Sequence, residues 1–191
     1  MIRLLSTTAA VFATGLIVMS ASFAQSTPPN PLGKPAARSA GETLNQQEKT
    51  FVKQAALGGM AEVHLSKLAQ KSENPDVKSF ADRMVLEHTG TNQQLTAIAT
   101  GLGMEMPKTL DSEHERMLEK LAAMHGKAFD EQYMRAMVED HNKAVGLFQQ
   151  EERIGHNADL KQFAQKTLPT LEEHQKMALG VSHRLSQTAS K

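Results

Sequence analysis

The feature that most constrains the fold is a phrase that occurs twice. NPDVKSFA (74–81) returns as NADLKQFA (157–164), 83 positions later. In both places an apolar periodicity has just ended, an Asn stands where a helix cap is wanted, and an acid follows in the first turn. The chain therefore reads as two similar helix hairpins. Two such hairpins bury their apolar faces by packing on each other as a four-helix bundle.

The periodicity predicts long helices over about 45–71, 75–101, 128–153 and 158–185. SENP ends the first, and Pro75 suits the first turn of the second. A shorter helix is expected over 110–124 in the central connection, with Asp111 or Ser112 as cap and Gly126 as stop. Pro169 should kink the last helix. With no Cys or Trp, one Tyr and eleven Met, packing falls to Leu, Ala and Met, and no disulfide can help. The expected class is all-α, an up-down bundle over 45–187 with a disordered tail at 188–191.

A bundle core is lined at alternating spacings of three and four. In the second long helix that stripe is Val77, Ala81, Met84, His88, Thr91, Leu95, Ile98 and Leu102. In the third it is Met134, Met137, His141, Ala144 and Phe148. In the fourth it is Leu160, Ala164, Thr167, Leu171, His174, Ala178, Val181 and Leu185. The first gives Phe51, Ala55, Gly58, Glu62, Leu65 and Ala69. Each stripe is apolar or small apart from one strongly polar residue: Glu62, His88, His141 or His174. With both hairpin turns placed at the same end of the bundle, these four fall within roughly 7 Å along the axis, at about 1.5 Å per residue.

Such a layer needs mutual hydrogen bonds, water or a metal ion, because unpaired buried charge is costly. Imidazole and carboxylate suit zinc, iron, manganese or copper. A single-ion site of Glu62, His88, His141 and His174 is one expectation. A metal-free network that only fixes helix register is the other. The neighbouring acids Glu87, Asp140 and Glu173 could accept a ring N–H across a helix interface or be solvated. Met84 and Met137, each four residues before a core histidine, raise copper specifically, although Met usually fills gaps. His64, His114, His125, His156 and His183 read as solvated, and Gly58 and Gly59 as permitting a close helix contact. No GxSxG turn or glycine-rich phosphate loop is present, and the sequence does not decide whether the chain is an enzyme.

Residues 1–24 read as a secretory signal peptide: Arg3, a mostly apolar Leu4–Met19, and small residues at Ser22 and Ala24. An uncleaved N-terminal anchor is the lesser alternative. Residues 25–44, with four prolines before Gly41, read as a flexible spacer. Removing Arg3 leaves 20 basic against 21 acidic side chains, so neither nucleic acid nor an anionic membrane surface is an expected partner. Oligomeric state is not legible.

The segments AALGGMAEVHLSKLA, NPDVKSFADRMVLEH, GKAFDEQYMRAMVEDH and LPTLEEH, in this order, resemble the bacterial "domain of unknown function 4142" family over about 46–185. The resemblance implies an exported, all-helical, ferritin-like domain with no established activity. Di-iron bundles of that class use Glu on two helices and Glu-x-x-His on two others. Here Val85 and Leu171 stand three residues before His88 and His174, and His141 replaces a Glu. The acids that bridge two irons are missing, which leaves a single-ion site in an exported, periplasmic bundle. The alternative is a non-catalytic envelope or stress-related module.

Overall fold

The computed structural model describes residues 44–188. The expected signal peptide, residues 25–43 of the spacer and residues 189–191 of the tail lie outside them. The described chain forms five α-helices: α1 Gln46–Ala69, α2 Pro75–Gly101, α3 Ser112–Ala122, α4 Gly126–Ile154 and α5 Ala158–Thr188. No strand occurs among the described residues. None of these helices is long and apolar enough to cross a membrane.

The repeated phrase starts helices in both places. The Asn74 side chain accepts the N–H groups of Asp76 and Val77, and Asn157 accepts those of Asp159 and Leu160. Each cap satisfies two donors that the first helical turn leaves free. Asn45 and Glu48 form a reciprocal capping box at α1, and Asp111 caps α3. One expectation is corrected in detail. Gly126, at φ 57°, opens α4 rather than stopping α3, which ends four residues earlier. The backbone there needs a left-handed residue, and glycine takes it without strain. Pro169, where a kink is expected, lies inside α5, which is one α-helix on both sides of it.

α1 packs on α2 and α4 on α5, as hairpins, and the two hairpins meet through α1 with α4 and α2 with α5. Their core falls into two clusters. One holds Leu65, Val77, Phe80, Met84, Tyr133, Met137, Ala178 and Val181. The other holds Phe51, Ala56, Leu95, Val145, Phe148, Phe163 and Leu171. Full burial of a Leu or Phe stabilises by about 1.5–3 kcal/mol, so either cluster is a substantial half-core.

The hairpin turns lie at opposite ends of the bundle, not at the same end. Ser72, in the α1–α2 turn, donates to Asp130 at the start of α4. The α4–α5 turn instead meets the start of α1, where Glu48 accepts the N–H of His156 at 2.9 Å and of Asn157 at 2.6 Å. The connection carrying α3 therefore runs the length of the bundle. Met104 and Met106 pack on one cluster, and Met117, Leu121 and Met124 on the other. Helix directions run down, up, up, down rather than alternating. The layer still forms because its four residues sit near the middle of their helices, where reversing a hairpin changes depth little.

Candidate metal centre

On every long helix the polar residue separates the two half-cores. Ala56 and Leu65 flank Glu62, and Met84 and Leu95 flank His88. Met137 and Val145 flank His141, and Leu171 and Ala178 flank His174. All four are buried, His141 completely. The three imidazole centroids stand 5.1–5.5 Å apart.

The acceptors around the rings fix where their protons sit. His88 Nδ1 lies 2.8 Å from Glu62 Oε2 and donates to it. His174 Nε2 donates to Glu87 Oε2 at 2.6 Å. His141 Nδ1 donates to the Met137 carbonyl at 2.8 Å, with Glu62 Oε1 3.5 Å away. Each histidine thus spends one nitrogen on a carboxylate or carbonyl, the arrangement that orients an imidazole for metal ligation. Three nitrogens remain: His88 Nε2, His174 Nδ1 and His141 Nε2. The first two lie 3.2 Å apart. The third is buried without any hydrogen-bond partner. One ligand nitrogen from each of the three rings lies within 4.8 Å of the others.

Charge in the layer follows from burial and proximity. Burial would raise the Glu62 carboxyl, but His88 and His141 beside it bring it down to about 2. Burial disfavours a charged His88, yet Glu62 outweighs burial and raises it. His141 is lowered by burial. His174 is lowered to about 4 by burial and then by His88. Two imidazoles of the layer thus favour the neutral form that a metal needs, while His88 favours the cation and would have to give up its Nε2 proton to ligate an ion.

The expected site residues divide as follows. His88, His141 and His174 converge with nitrogens to spare. Glu62 converges too, as the acceptor behind His88, with His141 Nδ1 3.5 Å from its other oxygen. Glu87 stands behind His174. Glu173 lies farther out, on Arg83 at 2.9 Å, and Arg83 in turn holds Glu87 at 2.7 Å. Asp140 touches none of the rings, and burial with the nearby Glu62 charge raises it to about 6. Met84 and Met137 are buried in one half-core, and Met137 serves the site through its carbonyl. Sequence reasoning passed over Arg83, although its spacing of four from Glu87 is a visible pairing signal. It also read His114 as solvated, whereas the ring is half-buried and paired with Asp111 at 2.9 Å. His64, His125, His156 and His183 are exposed.

The family model for "Domain of unknown function (DUF4142)" matches residues 33–181. Among solved structures, a DUF305 fragment from Deinococcus radiodurans aligns with TM-score 0.65 at 19% identity, covering 75% of this chain and 99% of that one. A DUF305 protein from Streptomyces coelicolor, described as secreted, aligns with TM-score 0.59 at 14% identity, covering 73% and 94%. At these identities the likeness shows a shared helical-bundle fold. No curated protein matches the chain.

Proposed function

The chain belongs to the DUF4142 family, whose description carries no activity, and from the geometry we propose that it binds one transition-metal ion through His88 Nε2, His141 Nε2 and His174 Nδ1. The observation that carries this reading is the buried, partnerless His141 Nε2 beside two other imidazoles whose remote nitrogens are already engaged. Two nitrogens on a tetrahedral ion at about 2.05 Å stand about 3.3 Å apart. His88 and His174, at 3.2 Å, already have that spacing. Imidazole donors suit zinc, copper and iron, while manganese, which prefers oxygen, fits less well now that Glu62 stands behind the ligands. Three protein ligands leave a fourth position open.

The ferritin-like description belongs to this reading as well: paired hairpins, one long connection, and ligands projecting inward from facing helices. So does export, with residues 1–24 as the signal and the periplasm as destination. One structural likeness is to a protein described as secreted. Balanced charge supports no nucleic-acid or anionic-membrane partner.

A register-fixing network is the second reading, favoured by the near-complete hydrogen bonding around Glu62, His88, His174 and Glu87. Elemental analysis of protein purified without chelator, followed by Co(II) titration monitored by absorption, separates the two. Near-stoichiometric metal that disappears in His88→Ala/His141→Ala supports the ion site. No metal in the wild type and no cobalt uptake would sink it.

A further inference from the structure

A cavity of about 370 Å³ lies beside the polar layer, on the side of the half-core that contains Phe148. One part of its wall is apolar, formed by Leu95, Phe148, Phe163 and Leu171. At the level of the layer it meets Glu62, His88 and Asp140, with Asp111, Glu113, His114 and Lys143 also on its wall. This mixture of an apolar body and a few polar groups is typical of a small-molecule site.

The charges on the wall select the ligand. Four carboxylates face the cavity against one lysine. Glu62 is taken by His88 and His141. Asp111 caps α3 and holds His114. Glu113 faces Lys143 at 3.7 Å, and that lysine also pairs with Glu139 at 3.2 Å. Asp140, by contrast, has no hydrogen bond or ion pair with any described residue; Lys143 and His114 favour its charge only from a distance, and its half-buried carboxylate would gain from a direct partner. An anionic ligand would meet four like charges. A purely apolar one would leave Asp140 unsatisfied.

We propose that this cavity binds a small organic cation, an alkyl- or arylalkyl-ammonium whose NH₃⁺ donates to Asp140 and whose apolar body lies against Leu95, Phe148 and Phe163. The site goes beyond the metal reading and does not rest on it. Gly58 lines the same cavity, and a Cβ placed there would meet nothing within 4 Å. A larger side chain at 58 therefore grows into the ligand's space without moving backbone.

The test is calorimetric titration of the purified protein, with and without chelator, using 3-phenylpropylamine, 3-phenylpropanol and 3-phenylpropionate. The amine is expected to bind at least about tenfold more tightly than the alcohol, and the carboxylate not at all. Asp140→Asn should reduce the amine to the level of the alcohol. Gly58→Leu should abolish amine binding with helix content retained by circular dichroism. If that variant does not fold, Ala144→Leu fills the cavity from α4 instead. No binding of the amine, equal binding of amine and alcohol, or amine binding unchanged by Asp140→Asn or by the folded filling variant would overturn the proposal. Because the titration is read with chelator present, its failure is separate from failure to find a metal.

Discussion

Glu62 illustrates how much a single buried carboxylate can organise. It accepts from His88 at 2.8 Å and stands 3.5 Å from His141, so its charge sets the orientation of one ring and the field at another. Glu62→Gln keeps the shape but removes the charge and the acceptor strength that hold His88 with Nε2 free. Metal affinity should fall about 10- to 100-fold by competition titration, while His141→Ala should abolish stoichiometric binding. The burial stripe made this layer legible in the sequence, because a Glu or His at a core position of each long helix is conspicuous among Leu, Met and Ala. Which atom faces which was not legible. A one-residue periodicity gives depth and face, but the roles of Glu62 and Asp140 depend on side-chain rotamers and on neighbours from other helices.

At the scale of elements, two neighbouring glycines of α1 should behave differently. Gly58 faces open space, so Gly58→Ala should raise stability by about 0.5–1 kcal/mol through the helix propensity of alanine. A Cβ at Gly59 would run into the Asn92 side chain of α2, with Asn92 Cγ only 3.1 Å away. Thermal melts should place Gly59→Ala below Gly58→Ala. Of the two glycines expected to allow close helix contact, only Gly59 does so.

The clamp between the α4–α5 turn and α1 makes a pH-dependent prediction. Glu151 is fully buried with Oε1 lacking a partner, and burial together with the nearby Glu48 charge raises its carboxyl. The unfolded chain ionises this group near pH 4.5 while the fold keeps it protonated to higher pH. Its contribution is therefore full below about pH 4.5 and is lost as pH rises through the folded value. Glu151→Gln removes that loss. Chemical denaturation should show the variant gaining about 1 kcal/mol at pH 7.5 relative to wild type, and less at pH 4. An equal gain at both values would count against a raised Glu151.

For the whole molecule, the proposed ion site would join one ligand from the first hairpin to two from the second, at the level where the half-cores meet. An ion present at 100 times its Kd should therefore stabilise the entire bundle by about 2.7 kcal/mol. Zinc should raise the melting temperature of the wild type, and the His88→Ala/His141→Ala variant should show no shift. Helix positions and the pairing of hairpins could be read from the two NPDVKSFA-like phrases, because caps and stripes are local signals. The relative direction of the hairpins could not. The stretch 102–125 is long enough to turn back at once or to travel the length of the bundle, and only packing of Met104 at one end and Leu121 at the other decides it.

That long connection has a consequence for synthesis. The segment bearing His88 leaves the ribosome before those bearing His141 and His174, and the connection carrying α3 must span the bundle for the second hairpin to reach its place. Neither hairpin holds the three imidazoles by itself. Tight capture of an ion would therefore act as a completion signal, given only by a chain whose last helix has found its place.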